Sequence, residues 1–394
     1  MFALAVHAPA QQAPAKHANN AWVTLVMRGD AYVPGALALA ASLRASGTAA
    51  ATVCMATPDV SAGARALLGR AFDRVASVDK LTYPTRPMPT AKQRDIYGGW
   101  ISDACTKWRC LDFEYARVIV LDADVVLLGN CDHLFEVPAP AGIFSSPWAA
   151  QYARRPPGLP DVYKNAIANT NANATPQARA PQANPIRRIE VKPPIADLPH
   201  GAPVPDAAVA RGLRESFTAF GTTMLLAPAP GLLGEFTAYC DAVVAASGQI
   251  GTAGCFNGAD EQMIVGFFLQ RALAGAPAAA GAPAAPAPAA PAAAAAAVTD
   301  APAAANVWHH ISQRFGDIPW HANWQEGASA PGSAAWAADS RILHYHGHRK
   351  AWEMLPSEWP DVATWWRFAA AAVAADPAAA AVFDAEGLGA VKKL

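Results

Sequence analysis

Two aspartates, Asp122 and Asp124, stand one residue apart at the end of an apolar run, Arg117-Val-Ile-Val-Leu-Asp-Ala-Asp-Val-Val-Leu-Leu-Gly-Asn130. The run Val118–Leu121 reads as a strand buried on both faces, as in the middle of a parallel sheet. In extended chain, residues i and i+2 share a face. Both carboxylates therefore converge where the strand leaves the sheet, the place where open α/β sheets bind ligands. Two carboxylates so close repel each other, and a hard divalent cation relieves that. The pattern predicts a metal site that holds a diphosphate.

Two further clusters can supply the rest of such a site. In Leu343-His-Tyr-His-Gly-His-Arg-Lys-Ala-Trp352, the histidines His344, His346 and His348 share one face if the chain is extended. One neutral imidazole beside two carboxylates makes a mixed nitrogen and oxygen site that suits manganese better than calcium or magnesium. Gly347 lets backbone approach a ligand closely, Lys350 offers a point charge for a phosphate, and Trp352 reads as packing. In Cys255-Phe-Asn-Gly-Ala-Asp-Glu-Gln262, Asp260 is either a helix cap or, with Asn257, an acceptor for sugar hydroxyls. Lys107 is either a surface charge or a second cation near the ligand.

Two competing readings stay open for the aspartate pair. It can be a solvated loop with two surface acids. It can also be the DxDx[TV] string of a haloacid-dehalogenase-like phosphohydrolase, which Asp122-Ala-Asp-Val-Val126 fits, with a nucleophile and an acid supplied by the two aspartates. Three strands precede the motif here, whereas that class places it near the start of its core.

The elements that must position these residues alternate. Trp22–Met27 reads as a strand, and Pro34 to Arg44 as a helix opened by proline and closed by Gly47. Thr52–Ala56 reads as a second strand, 61–71 as a helix, Arg74–Val78 as a third strand, and Trp100–Phe113 as a helix. Such alternation predicts an α/β fold with a mostly parallel sheet. Residues 1–20 read as a disordered leader, and 154–211 and 274–305 as low-complexity insertions rich in Pro and Ala. Order is expected to resume at Phe217–Leu226 as a strand, with helices at 230–246 and 259–273, a strand at Arg341–Tyr345, and a last helix near 361–375.

The composition narrows the function class. The chain has 394 residues, 53% of them hydrophobic, and a formal net charge of −1. It can bury a sizeable core and shows no charge signature of a nucleic-acid or anionic-membrane partner. No run approaches the ~18 apolar residues of a membrane span, and the first ten residues lack the basic region of a signal peptide. The six cysteines have no CxxC pairing and read as reduced thiols, which points to the cytoplasm.

Taken together, the clusters resemble the glycogenin-like retaining glycosyltransferases (glycosyltransferase family 8). The resemblance runs through Thr24-Leu-Val, Asp30-Ala-Tyr-Val-Pro-Gly-Ala-Leu37, Thr106-Lys107, Val120-Leu-Asp-Ala-Asp124, Asn130-Cys-Asp-His-Leu-Phe135, Asn257-Gly-Ala-Asp260 and His344-x-x-Gly347-x-x-Lys350-x-Trp352. It departs at Met27-Arg28-Gly29, at Asn257 and Glu261, and at Ala351.

The resemblance implies a Rossmann-like GT-A fold with one catalytic domain over 21–353 and a helical extension over 354–394. It implies manganese, or magnesium, on Asp122, Asp124 and His344. Leu25 and Tyr32 would lie near the uridine, Ala123 and Lys107 near the ribose, phosphate and sugar, Gly347 and Lys350 at the diphosphate, and Asn257 and Asp260 at the transferred sugar. The implied reaction moves glucose or galactose from a UDP-sugar to a glycan, a protein or, as in galactinol synthases, a small polyol. A degenerate, non-catalytic nucleotide-sugar binder and a homodimer are both compatible with it.

Overall fold

A computed structural model describes residues 19–87, 91, 94–95, 98–144, 198–214, 220–251, 258–275, 307–312, 315–316, 341–345, 349–356 and 362–391. Every element below lies in the first of two compact units, Met1–Phe144 with Pro199–Leu394; the second is Ser145–Leu198.

The chain opens with β1 (Asn20–Val26), apolar and buried on both faces except at half-buried Leu25. Helix α1 (Val33–Ser46) follows, with Pro34 in its first turn, where no amide partner is needed. Gly47 closes it in the left-handed region (φ 67°), its N–H donating to Arg44 O. Next come β2 (Ala51–Ala56), α2 (Ala62–Ala71, capped by Ser61 Oγ accepting from Ala64 N) and β3 (Arg74–Ser77). Residues Ile101–Asp112 form a 3-10 helix where an α-helix over Trp100–Phe113 was expected. It leads into β4 (Arg117–Leu121), β5 (Val125–Leu127) and β6 (Ala141–Phe144).

The second half of the unit holds β7 (Pro203–Val204), α3 (Asp206–Arg214), β8 (Phe220–Leu226), α4 (Leu232–Ser247), α5 (Ala259–Gly275), β9 (Trp308–His310) and β10 (Ile342–His344). It closes with α6 (Ala363–Ala375) and α7 (Ala385–Val391).

The main sheet has the order β3-β2-β1-β4-β8-β6-β9-β7. Strands β3, β2, β1 and β4 are parallel, so their carboxyl ends share one edge; beyond β4 the sheet turns antiparallel at β8. This is the expected α/β class, a mostly parallel sheet flanked by helices. The chain crosses from one side of β1 to the other between β3 and β4. The crevice at such a switch point is where ligands bind in open α/β sheets.

Helix α1 is buried almost all round, from Val33 to Leu43. An α-helix that is apolar on every side must be covered on every side. Here the sheet covers one side and α6 the other, with Trp365 and Trp366 fully buried in the same core as Ala36, Ala40, Leu343 and Tyr345. Order also runs past 375 into α7, where Gly387 packs so closely on Trp366 that a Cβ would lie 2.4 Å from the indole.

The insertion expected over 154–211 ends earlier than its composition suggested. β7 and most of α3 fall inside that range. Val209, Ala210 and Leu213 are buried there, an apolar stripe at helical spacing. The proline-rich surroundings hid that stripe. Of the expected leader (1–20) and insertions (154–211 and 274–305), residues 1–18, 154–197 and 276–305 lie outside the described residues.

Candidate metal and nucleotide-sugar site

Val23 pairs with Val120 in the β1–β4 ladder, so Leu25 and Asp122 stand two places further along, at the carboxyl edge of adjacent strands. The chain leaves β4 through Asp122-Ala123-Asp124 and enters β5. Strand β10 pairs antiparallel with β5, with His344 opposite Val125, and Tyr345 N donates to Asp124 O at 2.8 Å. That short ladder brings an imidazole more than two hundred positions away in sequence back to the aspartate pair.

His344 Nε2 lies 3.7 Å from Asp122 Oδ2 and 3.3 Å from Asp124 Oδ1. One ligating atom from each of the three residues falls within 4.8 Å of the others, the one such His, Cys, Asp and Glu group among the described residues. The donor set, two carboxylate oxygens and one imidazole nitrogen, fits a borderline-hard divalent cation. Of the three histidines singled out in sequence, His344 is the one placed here; His346, His348, Gly347 and Asn257 lie outside the described residues.

Two ammonium groups flank the cluster. Lys350 Nζ lies 2.6 Å from Asp124 Oδ2 and Lys107 Nζ 2.8 Å from Asp122 Oδ1. Asp124 is 3% exposed. Burial alone would raise its pKa, but Lys350 and His344 outweigh that and hold it well below the usual carboxylate range. Burial opposes the charge on Lys350, and Asp124 more than restores it, so the ammonium stays charged across the physiological range. Tyr32 lies beneath it, with Lys350 Nζ 5.5 Å from the ring centroid, and Trp352 meets Tyr32 edge-on at 5.4 Å. Trp352 thus packs, as its sequence position suggested.

Lys107 also faces α5. Its Nζ is 3.4 Å from Asp260 Oδ2 and 4.0 Å from Glu261 Oε1. The Asp260 contact is electrostatic only, since that buried oxygen accepts no hydrogen bond. Burial lowers the Lys107 pKa, but Asp122, Asp260 and Glu261 together drive it well above normal. Trp108 Nε1 donates to Asp260 O at 3.0 Å and so fixes the start of α5 against the 3-10 helix. A narrow cleft is lined by Lys107, Trp108, Val120, Met224 and Glu261.

Sequence reasoning gave no role to Glu261 and Gly35, which the structure brings to the cluster, nor to Arg28 in the loop before α1. Glu261 enters the cluster with its carboxyl pKa raised well above normal, by burial first and then by Asp260; its signal in the sequence was a departure from the resembled motif directly after Asp260. Gly35 lets α1 approach the aspartate turn, with Ala123 itself buried there. Arg28, left-handed at φ 63°, extends the β1–α1 loop and pairs with buried Asp103 at 3.1 Å.

No protein-family model matches the chain. It is 36% identical to glycogenin-1 of Homo sapiens over 119 residues, 30% of this chain and 33% of that protein. Over that stretch the chain is similar to glycogenin-1. The chain is also 28% identical over 120 residues to UDP-glucuronate:xylan alpha-glucuronosyltransferase 1 of Arabidopsis thaliana, 30% of this chain and 17% of that protein. Among solved structures, the galactosyltransferase LgtC in complex with donor and acceptor sugar analogs covers 90% of this chain and 95% of that one, at 11% identity and a TM-score of 0.44. The match to human glycogenin-1 spans about one third of that protein's length. Among the described residues, no helix is long and apolar enough to cross a membrane.

Proposed function

We propose that this chain is a metal-dependent retaining glycosyltransferase that moves a hexose, glucose or galactose, from a UDP-sugar to an acceptor hydroxyl. The observation that carries the reading is the meeting of Asp122, Asp124 and His344 at the β1–β4 switch point, with Lys107 and Lys350 beside them. The reading treats 21–353 as one transferase domain, against which the helices of 354–394 pack.

Manganese, or magnesium, held by Asp122, Asp124 and His344 would supply Lewis-acid stabilisation of a leaving diphosphate. The chain's own residues account for the rest. Lys350 and Lys107 place positive charge where the departing UDP gathers negative charge. In this reading Tyr32 and Leu25 lie near the uridine, and the buried carboxylate of Asp260 is turned to the sugar, where positive character develops on the anomeric carbon. Retention follows if the acceptor attacks from the side the diphosphate leaves, through a short-lived ion pair screened by Asp260. His344 sharing the cluster with both acids favours this reading over a phosphohydrolase, in which the imidazole would be a bystander.

The test is release of UDP from UDP-glucose and UDP-galactose, with and without Mn2+ and with sugar and polyol acceptors. Release should require the metal and fall at least about a hundredfold in Asp122→Asn and in His344→Ala, a loss of the size expected when a charge-stabilising group is removed. Turnover of simple phosphate monoesters that ignores His344→Ala would instead support the hydrolase.

A further inference from the structure

Helix α6 grips the short turn that follows Lys350 at two points. That turn, the 3-10 element Ala351–Glu353, is closed on itself, with Lys350 N donating to Glu353 Oε2 at 2.8 Å. Ala351 is fully buried in the core that α1 shares with α6. At one end of the turn the Trp352 ring meets Tyr32 edge-on at 5.4 Å and Trp365 of α6 at 5.8 Å. At the other end Trp366 Nε1 donates to Met354 O at 2.8 Å.

The helix is itself anchored from behind. Asp376, which ends α6, accepts from Arg70 Nε of α2 at 2.7 Å, and Phe383 meets Trp365 edge-on at 6.0 Å. Trp365 is fully buried, and its Nε1 has no hydrogen-bond partner among the described residues. A buried donor without a partner costs stability, and a phenylalanine in its place would avoid that cost. What the indole adds over a phenyl ring is a large, rigid second ring for its neighbours to pack on.

We infer that Trp365 is a positioning residue of the site: it seats Trp352, and Trp352 in turn fixes the Tyr32 ring and the backbone that carries Lys350, so that the site is incomplete without the C-terminal helices. The effect on transfer rests on the donor reading proposed above; the seating does not. Groups that act on a reacting centre must be held to within about 0.5 Å by the residues behind them. A displacement of about 1 Å can cost a hundredfold in rate.

The experiment uses the full chain with Trp365→Phe, with Trp352→Phe and with both. Phe72→Leu is the control, a buried ring of the same core at the end of α2. Hydrogen exchange reads the seating without any ligand. The amides of Glu353 and Met354 donate to Lys350 O and Ala351 O. In Trp365→Phe they should exchange at least about tenfold faster, with the amides of β1 and β4 unchanged. Release of UDP from UDP-glucose or UDP-galactose with Mn2+ reads the consequence: kcat should fall at least about tenfold, with KM within about threefold. The double variant should lose little beyond either single one, as residues acting through one contact do. Phe72→Leu should lower the urea midpoint and leave both readouts at the wild-type values.

Wild-type exchange at Glu353 and Met354 in Trp365→Phe would overturn the inference. So would a loss of rate that Phe72→Leu matches, or losses in the two tryptophan variants that simply add. If Trp365→Phe does not fold, Trp352→Phe carries the same two readouts. Faster exchange with no UDP release even from the wild type would sink the proposed function and leave the seating standing; release at the wild-type rate from Trp365→Phe would do the reverse.

Discussion

A Cβ atom on Gly35 would stand 2.5 Å from the carbonyl oxygen of Ala123 and 2.6 Å from the Trp352 ring. Helix α1 therefore touches the turn between the two aspartates at a place where no side chain fits. Gly35→Ala should destabilise the fold by about 1–2 kcal/mol, overpacking outweighing the helix propensity gained. It should also weaken Mn2+ binding, because the turn must shift. Gly387→Ala, crowding Trp366 away from this turn, serves as the control: urea melts should show lost stability with cation affinity unchanged. Equal cation affinity in both variants would remove the positional role given to Gly35.

Ser42 ties the same helix to the strand that follows the aspartates. Its hydroxyl is buried, donates to Leu39 O and accepts from Leu127 N at 3.0 Å. Ser42→Ala leaves a buried β5 amide without that acceptor and should cost about 1–3 kcal/mol in denaturant unfolding. A change within the error of the melt would mean that another group or water takes over the amide.

Stability should fall on mild acidification because of His310, far along the sheet in β9. Burial, and then the neighbouring His200, push its imidazole down to about 4. Its Nδ1 accepts from Phe144 N at 3.3 Å, which requires that nitrogen unprotonated. An unfolded imidazole titrates near 6.5. The unfolded chain therefore takes up the proton first, so stability is full above about pH 6.5 and is lost progressively toward about pH 4, by about 1–3 kcal/mol. Unfolding midpoints measured across that window should slope less in His310→Gln. Identical slopes would exclude His310 as the cause.

Glu261 has the opposite sign. Its carboxyl is raised well above the ordinary range, by burial and then by Asp260, with Lys107 opposing. Folding thus binds a proton that the unfolded chain releases near pH 4.3, and the contribution of Glu261 to stability declines as pH rises from there. Glu261→Gln keeps the shape and removes the titration. The variant should match the wild type near pH 4.5 and become relatively more stable toward neutral pH. A variant less stable than the wild type at pH 7 would show that the ionised carboxylate is a net stabiliser of Lys107.

How far the site could be read in advance depended on whether local pattern or distant packing placed each residue. Val118–Leu121 running into Asp122 and Asp124 is a local signal, and the carboxyl-edge placement follows from it. Pro34 and Gly47 likewise bracket α1 by backbone chemistry alone. Residue pattern alone showed His344 as one of three histidines, and the family resemblance singled it out; its partnership with Asp124 depends on the register of β10 against β5, which no local periodicity encodes. Glu261 and Gly35 became functional only through what α5 and α1 pack against. The stripe Val209, Ala210 and Leu213 was legible in principle but was masked by its proline-rich neighbours. Trp365 and Trp366 read as a terminal helix, and nothing local revealed that they roof α1.

A crystal structure of the full chain grown with Mn2+ and UDP, with anomalous scattering recorded at the manganese edge, examines the metal site itself. A single peak should stand within about 2.5 Å of an oxygen of Asp122, an oxygen of Asp124 and Nε2 of His344 together. A peak bound elsewhere, or one held by the aspartates with His344 turned away, would contradict the site described here.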